Sequence, residues 1–161
     1  MAGCLTLSLY PLYTAKDVVA DLPLEGKWAD AEAKDVWDIR RGGDVYIATD
    51  PSNKNDEPIE MRVVRLGEQS FLDLTSNNAP SLAIAAHLFG RIRMTGDQMQ
   101  IQVISDAWLE KKARETGLPL LELPDKDVLL TAPTADLQRF ILRYAGDPDA
   151  FEKPETLHRI P

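Results

Sequence analysis

The stretch from residue 87 to residue 104 decides the fold, and it reads HLFGRIRMTGDQMQIQVI. In its second half Met99, Ile101 and Val103 alternate with glutamines, which is the period-two pattern of a strand with one buried face. Residues 95–98, Thr-Gly-Asp-Gln, form a turn sequence between two such runs. The stretch therefore predicts an antiparallel hairpin with one apolar and one polar face.

The same alternation recurs from Gly26 to about Thr131, in short runs that turn-forming residues separate. Eight or nine strands at a spacing of about ten residues are typical of an antiparallel sandwich or barrel. We therefore predict a mainly β protein with a single antiparallel β-barrel of about eight or nine strands. Besides the hairpin and the strand that begins at Gly26, the predicted strands cover residues 37–40, 45–49, 59–63, 71–74, 118–123 and 128–131.

Two segments have a helical rather than a strand pattern. The first begins at Asp106, a residue type favoured at helix starts, and is expected to end at Gly117. The second begins at Thr134, and its apolar residues recur at helical spacing. We expect this amphipathic, C-terminal helix to pack on the outside of the barrel, because its apolar stripe must be buried. The stripe consists of Leu137, Phe140, Ile141 and Tyr144.

The composition argues against several classes of protein. The chain has 161 residues, of which 44% are hydrophobic and 27% charged, as is typical of one globular domain. A net charge of −8 argues against a nucleic-acid partner, which usually selects for an excess of basic residues. One cysteine and two histidines are too few for a cysteine-rich or multi-histidine site, so we expect neither a metal nor a cofactor.

The N-terminal Ala2-Gly3-Cys4 places small residues directly before the single cysteine of the chain. This order resembles the end of a bacterial lipobox, and we predict that Cys4 is a lipid attachment site. The charged and apolar parts of a signal peptide do not precede it in the sequence, so we expect Met1 to be a late start or a residue that replaced the signal. The alternative is a free cysteine near a loose terminus.

Gly26-Lys27-Trp28, at the start of the first predicted strand, resembles the Gly-x-Trp signature of the lipocalin-like barrels. The resemblance implies that Trp28 packs inside the closed end of the barrel, with Gly26 beside it as part of the barrel floor. It also implies that a helix follows the last strand and that a later arginine covers the tryptophan, for which we assign no residue after Thr131. The expected organisation is an anchor or tether over residues 1–25 and a lipocalin-like barrel domain over residues 26–161.

More specifically, the chain resembles a group of uncharacterised bacterial envelope lipoproteins over nearly its whole length. The resemblance implies a domain that a lipid anchor holds to a membrane, and Leu5 directly after the cysteine resembles lipoproteins sorted to the outer membrane, facing the periplasm. It implies no activity and no particular protein partner. The matching residues are 11–14, Gly26 and Trp28, 71–74, His87 with Arg91, 108–109, 130–132 and 137–140.

Six side chains distributed over the strands are the candidate ligand-binding residues. An eight-stranded barrel is just wide enough either to be packed solid or to hold one small ligand, so these side chains either line a cavity or fill it. We assign no catalytic residue, and a small apolar or amphipathic molecule is the expected ligand. The candidates are Trp37, Tyr46, Met61, Phe71, His87 and Phe89.

His87 and Asp73 lie on neighbouring predicted strands and could form a histidine–carboxylate pair. Such a pair can act as an oriented general base, but nucleophilic catalysis also needs a placed hydroxyl or thiol. Ser70 and Thr75 lie nearby in sequence without the glycine frame of a nucleophile elbow. We therefore favour a half-buried histidine with a structural hydrogen bond.

Two further charged clusters have plain structural interpretations. The acidic loop at residues 50–57 offers oxygen ligands for Ca²⁺ but lacks the order of a calcium loop, so we expect a solvated hairpin loop. Four arginines on two predicted strands would bind a carboxylate or phosphate headgroup if they turned inward, whereas alternation favours an outer polar face with Ile92 and Met94 inside. They are Arg62, Arg65, Arg91 and Arg93.

Three classes of function remain. The favoured class is a membrane-anchored, non-catalytic envelope lipoprotein that binds a small hydrophobic or amphipathic ligand, which an open cavity of about 300 Å³ or more would support. The second is an interaction or assembly module of the cell envelope with a solid barrel core, which an exposed apolar patch would support. The least favoured is a hydrolase-type enzyme that uses His87, which a hydroxyl within hydrogen-bond reach of the histidine would support.

Overall fold

The computed structural model describes residues 5–53, 57–76 and 85–161. Within these ranges the helices are α1 (Asp106–Thr116) and α2 (Thr134–Tyr144). The strands are β1 (Thr6–Ser8), β2 (Val18–Val19), β3 (Gly26–Ala29), β4 (Val36–Gly42), β5 (Val45–Thr49), β6 (Ile59–Leu66), β7 (Gln69–Ser76), β8 (Leu88–Thr95), β9 (Gln98–Val103), β10 (Leu120–Glu122), β11 (Val128–Leu130) and β12 (Glu155–Ile160).

A closed antiparallel barrel of eight strands forms the body of the described chain. Each strand from β3 to β9 pairs with the next one along the chain. β12 lies between β9 and β3 and pairs with both, which closes the ring. The prediction of a single antiparallel barrel with two short helices is confirmed.

The strand that closes the barrel was not among those predicted from the sequence. β12 follows α2, so the expectation that a helix follows the last strand is wrong. Its sequence, ETLHRI, carries few apolar residues, and within the strand only Leu157 is buried, opposite Met99 of β9. Because both neighbours of β12 supply hydrogen bonds, the strand forms with a weak alternation signal.

The two predicted strands after α1 lie outside the barrel. They become β10 and β11 of a small three-stranded sheet, in which β11 pairs antiparallel with β10 and parallel with β1. A parallel partner more than a hundred residues away leaves no local turn signal in the sequence. Another strand that was not predicted, β2, adds to the outside of the ring by pairing with β6.

Residues 5–25, where the sequence predicted an anchor or tether, are packed against the rest of the domain. β1 pairs with β11, and the backbones of Ser8 and His87 exchange two hydrogen bonds of 2.9 Å. Leu12 and Leu24 are completely buried. Residues on both sides of the boundary expected at residue 25 therefore pack together. Cys4 lies outside the described residues.

Two apolar cores lie on opposite faces of the barrel wall. The inner core fills the barrel, and the outer core lies between the wall, the N-terminal segment and both helices. Phe71 and Leu72 are neighbours on β7 but belong to different cores, because successive side chains of a strand point to opposite faces. The inner core consists of Leu24, Trp28, Ile39, Tyr46, Ala48, Met61, Val63, Leu72, Ile92, Met99 and Leu157.

α2 covers the outer core with the stripe that the sequence predicted. Leu137, Phe140 and Ile141 are buried, and Tyr144 packs beside them. Thr134 does not cap the helix as expected, because its hydroxyl donates to the Pro11 carbonyl at 2.7 Å instead. The start of α2 is therefore attached to the N-terminal segment by a tertiary contact rather than by a local one.

Candidate functional site

A pocket of about 400 Å³ opens in the barrel wall where the pairing of β7 with β8 ends. The two strands pair from Leu74–Leu88 to Phe71–Arg91. In the described chain no pair continues beyond Phe71 and Arg91, so the residues that precede Phe71 and those that follow Arg91 line a gap. We call this gap the wall pocket.

Apolar and polar side chains share the lining of the wall pocket. Ile92 and Met94 come from the inner row of β8, as alternation predicted, and Leu22 comes from the segment before β3. Both strands of the β8–β9 hairpin, the turn between β6 and β7 and the start of β7 supply the polar part. These polar residues are Glu68, Gln69, Ser70, Arg91, Arg93, Gln100 and Gln102.

Arg91 is held at the pocket by three contacts with uncharged groups. Its Nε donates to Oε1 of Gln102 at 2.8 Å, and its Nη1 donates to the Ala145 carbonyl at 3.2 Å. Its guanidinium lies 4.2 Å from the ring centroid of Phe151. Burial lowers the pKa of Arg91 and the positive charge of Arg93 lowers it further, but a guanidinium remains protonated in proteins. The pocket therefore contains a fixed positive charge.

The four arginines singled out from the sequence have different partners. Arg62 pairs with Glu60 at 3.2 Å, and Arg65 pairs with Asp21 at 3.1 Å. Arg93 is exposed and makes no hydrogen bond or ion pair with any of the described residues. The structure thus brings only Arg91 and Arg93 together at the wall pocket.

His87 and Asp73 form the pair that the sequence predicted. Nδ1 of His87 lies 2.6 Å from Oδ1 of Asp73, and Asp73 is only 1% exposed. The second carboxylate oxygen accepts the backbone N–H of Leu12 at 2.7 Å. Both carboxyl oxygens of Asp73 are therefore occupied, one by the imidazole of His87 and the other by a backbone N–H.

Residues of the N-terminal segment and an arginine of β6 surround the pair. The ring of Tyr13 packs edge-on against His87, with 6.5 Å between centroids, and the guanidinium of Arg62 lies over Tyr13. Among the described residues no hydroxyl hydrogen-bonds to His87, and the hydroxyl of Ser8 donates to the Tyr10 carbonyl. The arrangement is an oriented imidazole that fastens the N-terminal segment to the barrel.

Trp28 is covered by an arginine that the sequence patterns did not assign. Trp28 is fully buried, and its Nε1 donates to the Leu24 carbonyl at 2.7 Å. The guanidinium of Arg159 lies 4.4 Å from its ring centroid and donates to the carbonyls of Glu25 and Pro23, both at 2.6 Å. Arg159 thus covers the tryptophan, and the sequence patterns did not indicate it because it lies on β12, a strand that was not predicted.

Gly26 has a specific reason to be glycine at this end of the barrel. Its φ of +128° lies in a region that residues with a side chain rarely adopt. A Cβ atom there would lie 2.6 Å from Nη1 of Arg159. Gly26 therefore leaves room for the arginine that covers the tryptophan.

The six candidate ligand residues do not form one surface. Tyr46 and Met61 belong to the inner core and Trp37 packs against it, whereas Phe71 and Phe89 belong to the outer core. His87 lies at the N-terminal segment. The wall pocket uses none of these residues, and it was missed because local alternation does not reveal where the pairing of two strands ends.

The acidic loop at residues 50–57 is described only in part. Asp50 accepts hydrogen bonds from the backbone N–H and the hydroxyl of Ser52, at 2.7 and 2.6 Å, as in a local turn. Residues 54–56 lie outside the described residues. Among the described residues of the whole chain, no group of three or more histidine, cysteine, aspartate or glutamate side chains could hold a metal ion.

Comparison of the chain with models of protein families, with curated proteins and with solved structures found no significant match. In the part of the chain that the structure describes, no helix is both long enough and apolar enough to cross a membrane.

Proposed function

We propose that the protein is a non-catalytic, membrane-anchored lipoprotein of the bacterial cell envelope that binds a small hydrophobic or amphipathic molecule in the wall pocket. The observation that supports this best is the pocket of about 400 Å³, in which Leu22, Ile92 and Met94 adjoin polar side chains. Pockets for small molecules have volumes of about 300–1,000 Å³. A mixed lining suits a ligand that has an apolar and a polar part.

The wall is a better place for the ligand than the barrel centre. Trp28, Val63, Leu72 and Met99 have no exposed surface and fill the interior. A ligand at their position would have to displace close-packed side chains, which is unfavourable because the displaced groups give up their van der Waals attraction to the surrounding core. The proposed binding site therefore differs from the expected site inside the barrel, whereas the expected chemical class of the ligand stays the same.

Attachment to the membrane is proposed through Cys4, in the sequence Ala2-Gly3-Cys4. The next residue, Leu5, is fixed to the domain: its N–H donates to Oδ1 of Asp127 at 2.7 Å and its carbonyl accepts the N–H of Val128 at 2.9 Å. A lipid on Cys4 would hold the three-stranded sheet close to the bilayer. The outer membrane, on its periplasmic side, is the proposed location because Leu5 follows the cysteine.

Ligand binding is tested with two tryptophan variants of exposed glutamines on the same strand. Gln100 lines the wall pocket and Gln98 does not, and neither side chain hydrogen-bonds to a described residue. Gln100→Trp should fill the pocket, so native mass spectrometry of protein purified from its own host should show a bound small molecule in the wild type and in Gln98→Trp only. An equal amount of bound molecule in both variants contradicts the proposed place of binding.

Anchoring is tested by expressing the chain behind a lipoprotein signal peptide in a bacterial host. The wild type should enter the membrane fraction with the mass of an acylated cysteine, and Cys4→Ala should be released in soluble form, because each buried CH₂ of the acyl chains contributes about 0.8 kcal/mol to membrane binding. A Cys4→Ala variant that stays in the membrane fraction would refute the anchor.

An interaction or assembly module of the envelope is the second candidate, and a leucine row with one exposed and two half-buried members favours it. Leu129 of β11 is paired with Leu7 on one side and with Leu121 on the other, and Leu121 is 57% exposed. Co-purification of an envelope protein from the host that is lost in Leu121→Asp but kept in Gln100→Trp would favour this candidate over ligand binding.

A further inference from the structure

We infer that Arg91 and Arg93 bind an anionic group of the ligand, a carboxylate or a phosphate, in the wall pocket. The inference rests on the proposed function, because it concerns the same pocket and names the chemical class of its ligand.

Most arginines of the described chain are paired with carboxylates, as expected for a protein with 26 acidic and 18 basic residues. Arg91 and Arg93 have no carboxylate within 4.0 Å among the described residues, although they lie side by side on β8. Arg41 and Arg143 also lack a carboxylate partner in the described chain, but of these four arginines only Arg91 and Arg93 lie together at one pocket. The paired arginines are Arg40, Arg62, Arg65, Arg114, Arg139 and Arg159.

Arg91 is positioned in advance for an anion. Its contacts with Gln102, Ala145 and Phe151 fix the guanidinium but use only two of its five N–H groups. The other three have no acceptor among the described residues. A carboxylate or phosphate that accepts them would form charge-assisted hydrogen bonds without ordering a flexible side chain first.

Arg93 adds a second positive charge to the same side of β8. Residues two apart on a strand are separated by about 7 Å, so the two guanidinium groups can reach one anion. Their mutual repulsion, which lowers the pKa of Arg91, would be relieved by a negative charge between them. Glu68 also lines the pocket, so two arginines and one glutamate leave a net charge of +1.

The remaining lining suits the rest of an amphipathic molecule. Gln69, Ser70 and Gln100 offer neutral hydrogen-bonding groups, and Leu22, Ile92 and Met94 offer an apolar surface. A single acyl or alkyl chain with a carboxylate or phosphate head satisfies both parts of the pocket. Free phosphate would satisfy only the arginines.

The inference is tested by isothermal titration calorimetry of the purified full chain with amphiphiles of one chain length, below their micelle concentrations. Decanoate and decyl phosphate have anionic heads, decyl maltoside has a neutral head and decyltrimethylammonium has a cationic head. We expect the two anionic compounds to bind at least about tenfold more tightly than the others, with affinity falling as sodium chloride increases. Inorganic phosphate alone tests the contribution of the head.

Arg93→Gln is the decisive variant, because Arg93 is exposed and its replacement leaves both cores intact. It should weaken binding of decyl phosphate at least about tenfold and leave binding of decyl maltoside unchanged. The matched control is Arg143→Gln, since Arg143 also lacks a carboxylate partner in the described chain but lies over Tyr144, outside the pocket. It should bind like the wild type.

The outcomes separate the inference from the proposed function. Equal binding of the anionic and neutral decyl compounds, with no effect of Arg93→Gln, overturns the anion site and leaves ligand binding in the pocket standing. Inorganic phosphate that binds as tightly as decyl phosphate supports the anion site and overturns the amphipathic ligand. Failure of every compound to bind overturns both.

Discussion

Asp73 connects three parts of the chain through one carboxylate. It lies on β7, accepts the N–H of Leu12 from the N-terminal segment and hydrogen-bonds to Nδ1 of His87, which directly precedes β8. With 1% exposure it has little access to water, so each oxygen needs the partner that it has. Sequence reasoning identified the pair but not Leu12, because a backbone N–H carries no signal in the residue type.

Replacement of Asp73 by asparagine should destabilise the fold. The amide keeps the shape and one acceptor but places an NH₂ group against Leu12 or His87, so we expect the free energy of unfolding to fall by about 1–3 kcal/mol. Urea unfolding measures the change. The control is Asp44→Asn at an exposed hairpin turn, which should alter stability by less than about 0.5 kcal/mol. Equal stability of the two variants would show that the hydrogen bonds of Asp73 contribute nothing to the free energy of unfolding.

The stability of the protein should depend on pH through Asp106. Burial raises the pKa of Asp106 above the ordinary 3.8, and the negative charges of Glu152 and Asp127 raise it further. A hydrogen bond from the N–H of Thr6 opposes this shift. The folded protein therefore holds this proton more tightly than the unfolded chain, and the resulting stability is lost as the pH rises from about 3.8 through the pKa of the folded state. Asp106→Asn keeps the acceptor for Thr6 and does not titrate.

The stability of Asp106→Asn relative to the wild type should accordingly be greater at pH 7 than at pH 3.5. Urea unfolding at both values measures the two differences. If the variant and the wild type differ in stability by the same amount at both pH values, folding does not shift the pKa of Asp106. A smaller difference at pH 7 than at pH 3.5 would mean that the hydrogen bond from Thr6 outweighs burial and lowers this pKa.

Elements with regular patterns were predictable, and elements that depend on distant partners were not. β5 has the bounds that alternation predicted, residues 45–49, and α1 ends at the expected glycine, which has a φ of +70°. β1, β2 and β12 were missed because they are short or weakly apolar and are held by strands far away in sequence. The wall pocket was missed because it lies where the pairing of two strands ends, and no local sequence motif marks such a place.

The apolar stripe of α2 offers a matched pair of substitutions on one helix. Phe140 is buried between Trp108 and Tyr144, with ring centroids 5.9 and 5.1 Å away, whereas Leu142 is 42% exposed. Phe140→Ala should lower the free energy of unfolding by about 3–5 kcal/mol, and Leu142→Ala by less than about 1 kcal/mol. Thermal or urea unfolding measures both. Similar losses would mean that α2 is not seated on the outer core.

On the scale of the whole molecule, the outer core joins parts of the chain that the sequence suggested were separate. Leu12 of the N-terminal segment, Phe71 and Phe89 of the barrel wall and Leu137 of α2 belong to one buried cluster. The barrel therefore has apolar residues on both faces of its wall over β6 to β8, and the helices and the N-terminal segment are needed to cover the outer ones. We infer that residues 5–25 fold with the barrel as one cooperative unit.

Hydrogen exchange distinguishes this cooperative unit from a barrel with a loose tether. The amides of Ser8, Leu9 and Leu12 donate to His87, Leu130 and Asp73 respectively. They should exchange with about the same free energy as the amides of β7 and β8, because opening the N-terminal segment exposes the outer core. The amide of Gly96, at an exposed hairpin turn, provides a fast-exchanging reference. If the N-terminal amides exchange as fast as Gly96 while β7 and β8 stay protected, residues 5–25 open independently and the cooperative unit is refuted.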